Sequence, residues 1–297
     1  MSYPYLQDLV RAATGLSLPL PVPMFGLCVL GAVAVSIWVA RLEVRRRHLG
    51  GQIGFAVRRV RRDGRHAEMA VPPQDIVVDL GLLTVIAGIV GARVFSMIEE
   101  PGELLAHPWA VIFSRQGFNF FGGLVFGATT GLIYFRRHRL PLLATCDAFA
   151  PAMMLGYALG RIGCQLAGDG DWGIAANMAA KPGWLPGWLW AQTYVNNVIA
   201  VPIAPPGVYP TPIYETVAGL LLFTILWGLR KLPMRPGWLF CLYLLLCGLE
   251  RSAIELIRVN DTVQLLGMRL TQAQIIAAVL VALGAIGTTV LSRPVRA

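Results

Sequence analysis

The stretch FAPAMMLGYALGRIGCQLAGDGDWG, residues 149–173, is mostly apolar up to Gly160, admits an arginine at 161, and then breaks into a turn carrying Asp169 and Asp171. Its apolar part reads as a membrane helix. An arginine at the centre of a bilayer costs roughly 2.5–3.5 kcal/mol or more, so such a residue usually marks a functional position with a negative partner. Fold and function both turn on what Arg161 meets.

The remaining sequence agrees with a membrane reading. Of 297 residues, 56% are apolar and 14% charged, whereas a soluble domain carries about 25% charged residues. About 20 apolar residues span a bilayer as helix. Seven stretches qualify, at about 22–41, 75–97, 117–135, 143–166, 212–229, 237–257 and 272–292. No linker of soluble-domain length divides them, so residues 1–297 are expected to form one polytopic, all-α integral membrane domain. Residues 168–211, rich in Pro, Gly and Trp, are expected to form a small extracytoplasmic cap, since Trp and Tyr favour the membrane interface.

Arginine placement sets the expected topology. Nine arginines fall between Arg41 and Arg65 and three between Arg136 and Arg139. Arg230, Lys231 and Arg235 form a third group, and Arg293 and Arg296 close the chain. With seven spans these 17 of the 25 Lys and Arg residues share one side, which the positive-inside rule makes cytoplasmic. The N-terminus is then outside and the C-terminus cytoplasmic. The basic runs serve as topology signals that touch anionic lipid. They lack the aromatic interleaving of a nucleic-acid surface, so no nucleic-acid partner is expected. Five cysteines, all in apolar segments, read as buried small residues rather than a disulfide framework. No signal-peptide pattern opens the chain. With no metal cluster or nucleotide motif, neither a metal nor a cofactor is expected.

Several of the remaining charges share one depth. Arg93 and Arg161 each lie about four or five residues from the outer end of their spans, and Arg251, Glu255 and Arg258 occupy the outer end of the sixth. The last three, at i, i+4 and i+7, are expected on one helix face. Glu250 points about 100° away, toward a neighbouring helix. The four arginines outnumber Glu215, Glu250 and Glu255, and a lipid phosphate would complete the balance through bidentate guanidinium contacts. Ion pairing between helices, with no ligand, is the alternative. In the third span Gly123, Gly127 and Gly131 repeat at the small-xxx-small spacing of close helix packing. Packing accounts for the last two, whereas Gly122 and Gly123, beside Asn119, are expected to open room for a headgroup. Glu215, near the start of the fifth span beside Tyr214, reads either as a first-turn carboxylate favoured by the helix dipole or as part of the site.

These segments, GARVFSM, GFNFFGGLVFG, GRIGCQLAGDGDWG, YPTPIYE, LERSAIELIR and LTQAQII, together resemble bacterial prolipoprotein diacylglyceryl transferase. The resemblance implies transfer of the diacylglyceryl group from phosphatidylglycerol to the lipobox cysteine of a preprolipoprotein signal peptide, with release of glycerol phosphate. It implies that Arg161 binds the lipid phosphate, that Arg251 is essential with Glu255 and Arg258 as partners, and that Glu215 belongs to the site. Catalytic roles are expected for Arg161, Arg251, Glu215 and Glu255. Lipid contacts are expected from Arg161, Arg258, Asn119, Gly122, Gly123, Asp169, Asp171, Gly173 and Tyr214. Phe121 stands where some members have histidine, and Cys247 where tyrosine is common. Glu215, Asp169 and Asp171, in that order, are the candidates for accepting the thiol proton. A non-catalytic binder of the same lipid or precursor is the second reading. A transporter is the third, without the broken midplane helices or repeated halves that class shows.

Overall fold

In a computed structural model, residues 2–292 are described except for 18, 20, 63–64, 100, 113–118, 261 and 266–267. The expected closing arginines Arg293 and Arg296 lie outside the described residues. The chain is mostly helical, in this order: α1 (Leu6–Thr14), α2 (Met24–Leu49), β1 (Ala56–Arg62), β2 (Arg65–Val71), α3 (Val77–Glu99), α4 (Pro101–Ala106), α5 (Pro108–Ile112), α6 (Phe120–Arg137), α7 (Leu142–Ala167), α8 (Gly187–Trp190), α9 (Thr211–Leu229), α10 (Trp238–Ile254), β3 (Thr262–Leu265), β4 (Met268–Thr271) and α11 (Gln272–Leu291). Five helical segments, Met24–Leu49, Pro73–Glu99, Leu142–Ala167, Thr211–Leu229 and Gln272–Leu291, are long and apolar enough to cross a membrane. The other two expected spans are helices of 18 residues, α6, and 17 residues, α10. Outward-facing Leu30, Ile86, Leu221, Leu283 and Ile286 are exposed, as hydrocarbon-facing side chains of a multi-pass membrane protein are.

Two compact units divide the chain: Ile37–Ala148, and Met1–Ser36 together with Phe149–Ala297. In the first, α3 packs against α6. A Cβ on Gly122 would run into the Gly91 carbonyl and Phe95 Cβ, and one on Gly123 would lie 3.2 Å from the Gly88 carbonyl. Gly127 and Gly131 have looser neighbours, at 3.6 Å and 3.9 Å. The expected division of labour is therefore reversed: the Gly122–Gly123 pair is the close crossing, and Gly91 and Phe95 fill the space beside Gly122. The basic segment after α2 also departs from an all-helical fold, because Ala56–Arg62 and Arg65–Val71 pair as an antiparallel hairpin, Ala56 opposite Val71.

In the second unit α10 and α11 cross closely. A Cβ on Gly248 would lie 2.7 Å from the Ala277 carbonyl, and Gly284 faces the Leu245 backbone. Ala150, Met154, Leu226 and Leu239 are buried together at the centre of α7, α9 and α10. The start of α11 is fixed by a capping box, in which the Thr271 side chain accepts from the Gln274 backbone and the Gln274 side chain accepts from Thr271 N–H; this satisfies orphan donors of the first turn. These packed helices hold the ends of α7, α9 and α10 where their charged residues meet.

Candidate active site

Arg161 meets carboxylates. Its Nη2 lies 3.0 Å from Glu215 Oε1, and the same oxygen is 3.3 Å from Arg258 Nη1 and 3.4 Å from Arg251 Nη1. Three guanidinium groups thus converge on one oxygen of a carboxylate with no solvent exposure. Asp171 bridges Arg161 and Arg258. Glu255 lies 2.7 Å from Arg251, and its other oxygen accepts from Asn260 at 2.8 Å and from Thr271 Oγ1. Three arginines are matched here by three carboxylates, Asp171, Glu215 and Glu255. The positive excess expected from the sequence is absent in this unit: Arg93 belongs to the Ile37–Ala148 unit, and Asp171 from the turn joins the cluster as a further carboxylate.

Local backbone explains the arrangement. Helix α10 ends at Ile254, with Glu255 as its C-cap at φ −63° and ψ −19°. Residues 255–257 form a turn, and Arg258 bridges Gly173 in antiparallel fashion. The expectation that Arg251, Glu255 and Arg258 share one helix face is therefore corrected. Arg251 and Glu255 do pair at i, i+4, whereas Arg258 reaches the cluster from beyond the helix on a short extended stretch. Gly173 makes that stretch possible: a Cβ there would lie 2.6 Å from the Ile257 carbonyl. Gly173 N–H donates to the Tyr209 carbonyl at 2.9 Å and Ile174 N–H to the Ile257 carbonyl at 2.8 Å. Gly168 and Gly170 have φ of +62° and +98°, backbone that glycine adopts without steric cost. The turn hands Asp171 to the two arginines, and Thr211 donates its hydroxyl to the Asp171 carbonyl.

Glu215 is the fifth residue of α9, buried in the ion cluster, so its dipole-capping role is replaced by ion pairing. All its hydrogen-bonding falls on Oε1; Oε2 is buried with no partner among the described residues. Tyr214 lies elsewhere, its hydroxyl donating to the Leu189 carbonyl at 2.6 Å and tying α9 to the 168–211 segment. That segment is further fastened to α7, with Tyr194 donating to Gln165 at 2.8 Å and Gln165 to Gln192 at 2.8 Å. Asp169 accepts from Asp171 N–H at 3.3 Å; burial, and then the neighbouring Asp171, push its carboxyl above the usual carboxylate range. Ligand atoms of Cys164, Asp169 and Asp171 lie within 4.8 Å of one another. The two guanidinium groups on Asp171 oppose a cation there.

The remaining expected residues belong to the Ile37–Ala148 unit. Asn119 caps α6, its Oδ1 accepting from Phe121 N–H at 2.7 Å and Gly122 N–H at 3.1 Å, and it donates to Glu99. Arg93 donates to the Val111 carbonyl. In that unit the observed roles of Asn119, Gly122 and Gly123 are capping and packing. Sequence reading missed Tyr157. Its hydroxyl lies 3.1 Å from Glu215 Oε1 and 3.0 and 3.2 Å from the two oxygens of Glu250. The signal was present, since Tyr157 lies four residues before Arg161 and so on the same helix face. Glu250 does reach a neighbouring helix, as its angular offset from Arg251 implies.

The fold and this cluster define a class: a multi-pass membrane protein whose helix ends bury a matched set of arginines and carboxylates. The chain belongs to the prolipoprotein diacylglyceryl transferase family, which it matches over residues 12–290. It is 28% identical over 286 residues to phosphatidylglycerol–prolipoprotein diacylglyceryl transferase 2 of Streptomyces coelicolor, covering 92% of this chain and 77% of that protein. The enzyme of the same name from Bacillus cytotoxicus is 27% identical, with 89% of this chain and 87% of the relative covered. A third, from Corynebacterium efficiens, is 27% identical over 85% of this chain and 73% of its own length. The resemblance carried by the motifs is borne out.

Proposed function

We propose that this chain transfers the diacylglyceryl group of phosphatidylglycerol to the lipobox cysteine thiol of a prolipoprotein signal peptide and releases glycerol phosphate. The observation that carries this reading is the convergence of Arg161, Arg251 and Arg258 on Glu215, with Asp171 bridging two of them at the more open side. The Asp171 side chain is 30% exposed, against 0% for Glu215 and 1% for Glu255. Asp171 is thus the carboxylate a lipid phosphate can replace, and the bound phosphate takes over its bidentate partners.

In the reaction the thiol sulfur bonds to the glyceryl carbon as that carbon's bond to the phosphate oxygen breaks. The electron pair leaves with glycerol phosphate, and fixed guanidinium groups in a low-dielectric site stabilise the charge as it grows. A free thiol has a pKa near 8.5, so its proton needs an acceptor. Among Glu215, Asp169 and Asp171 we assign this role to Glu215, whose buried Oε2 has no hydrogen-bond partner among the described residues, whereas Asp171 is the carboxylate that the phosphate displaces. Glu255 positions Arg251. We further place α6 and α10 among seven spans, with the N-terminus and residues 168–211 outside a bacterial plasma membrane and the site facing its outer leaflet. The arginine-rich segments on the other side support this orientation.

The test uses purified protein in detergent with phosphatidylglycerol and a lipobox peptide. Release of glycerol phosphate with a diacylglyceryl gain in mass on the peptide cysteine is expected. Folded, lipid-binding protein that releases none contradicts the transferase reading and favours a non-catalytic binder.

A further inference from the structure

The proton count around Tyr157 does not close with both neighbouring glutamates ionised. A phenolic hydroxyl has one proton to donate. Its oxygen lies 3.1 Å from Glu215 Oε1 and 3.0 Å from Glu250 Oε1, with Glu250 Oε2 at 3.2 Å. With two carboxylates, one contact would set lone pairs against lone pairs. One additional proton removes the conflict. Charge pairing decides where it sits. Glu215 has three arginines within 3.4 Å, whereas Glu250 forms no ion pair among the described residues.

The surroundings of Glu250 can be followed helix by helix. From α7 it faces Tyr157 and Arg161, and from α9 Glu215. On its own helix Arg251 and Cys247 are near. The segment Gln272–Leu291, which forms α11, contains no titratable or charged residue. Arg161 and Arg251 are both committed to other carboxylates, at 3.0 Å and 2.7 Å. A half-buried carboxyl in this setting is neutralised by a proton rather than by a partner.

We infer that Glu250 is a proton-holding positioning residue whose protonated carboxyl donates to Tyr157 and thereby makes Tyr157 a donor to Glu215. This rests on the proposed transferase reading for its consequence, though not for the proton itself. The chain Glu250–Tyr157–Glu215 fixes Oε1 of Glu215 and leaves Oε2 as the oxygen without a partner among the described residues. When Glu250 loses its proton, the Tyr157 hydroxyl turns to Glu250 and the donor to Glu215 is lost. A new negative charge then stands beside the arginines that receive the phosphate. The sign follows: turnover falls on the alkaline side, through weaker lipid phosphate binding and a displaced Glu215.

Two measurements on the full-length protein test this. Infrared spectroscopy at neutral pH, comparing the wild type with Glu250→Gln, reads the proton without any turnover. A protonated-carboxyl band lost on substitution is expected, and its absence from the wild type overturns the inference. Phosphatidylglycerol transfer is then followed against pH. Glu250→Gln, whose amide donates to Tyr157 as the protonated acid does, is expected to keep turnover within a few-fold at neutral pH. It should also extend the alkaline limb by at least one pH unit, while Glu250→Val loses ten-fold or more. In a Tyr157→Phe background, Glu250→Gln should leave the limb where it is. An unchanged limb in the single Gln variant, or equal losses for Gln and Val, overturns the positioning role. Failure of the wild type to transfer at all would instead contradict the transferase reading and leave the infrared result standing.

Discussion

Among the described residues two sets of buried ions stand out, and they differ in how completely they are sealed. In the Ile37–Ala148 unit, Arg47 lies 3.6 Å from Glu43 and 3.5 Å from Asp147, with side-chain exposures of 7%, 2% and 4%. Arg46 also holds Glu43, and Arg47 donates to Gln52 at 3.1 Å. In the other unit, Arg161, Arg251 and Arg258 keep exposures of 16%, 22% and 10%, and Asp171 keeps 30%. Both sets bury charge, and a buried ion pair by itself is weak support for stability. A sealed set fixes the geometry of the helices around it. An open set with one replaceable anion can exchange that anion for a ligand.

The contrast can be broken at four points, taken from the largest expected effect to the smallest. Glu43→Ala should lower unfolding free energy by about 3–5 kcal/mol, since it leaves a buried arginine short of its partner. Denaturation should show the loss, and protein that remains folded should bind phosphatidylglycerol as before. Arg161→Ala should reduce glycerol phosphate release by about 10²–10³-fold with expression intact, the scale of losing one preorganised donor. Arg161→Lys keeps the charge and loses the fork, so it should fall between that variant and the wild type. Full activity in Arg161→Ala would remove the basis for calling this set functional.

Asp171→Asn should lower KM for phosphatidylglycerol by about 2–5-fold, because it removes the anion that competes for Arg161 and Arg258 at a partly exposed position. A raised KM would mean that Asp171 contacts the substrate rather than standing in its place. The smallest effect concerns Asp169. Its carboxyl is raised by burial and by Asp171, so the folded state holds that proton more tightly than the unfolded chain. Its unfavourable contribution grows as pH rises above the ordinary carboxylate value near 3.9 and is absent below it. Asp169→Asn should therefore gain slightly in thermal stability at neutral pH relative to the wild type, and the gain should vanish in acid.

What the sequence made legible follows what is local. The long apolar runs were readable because hydrocarbon demands length and composition, and the α7 arginine stood out because charge there is costly. The i, i+4 pairing of Arg251 with Glu255 was also local. Arg258 was misplaced because ELIR contains no Gly or Pro to mark a helix end; a long-range bridge to Gly173 gives it another backbone. Spacing alone could not say which glycines meet a neighbour, since Gly91 of α3 decides that for Gly122. The 56–71 hairpin was hidden by its arginines, which were read as topology signals. Asp171 entered the charge balance only once the turn's glycines had folded it back, and Tyr157 only once α9 and α10 brought their glutamates to its hydroxyl.

The measurement closest to the central claim is equilibrium binding of phosphatidylglycerol to the purified protein, with phosphatidylcholine as the lipid control and Arg161→Ala as the site control. An open arginine cluster predicts preferential binding of the anionic lipid by the wild type and at least about a ten-fold weakening in the variant, the worth of a charge-assisted contact. Equal binding of both lipids, or equal affinity in wild type and variant, would contradict it and leave the two ion sets alike in purpose.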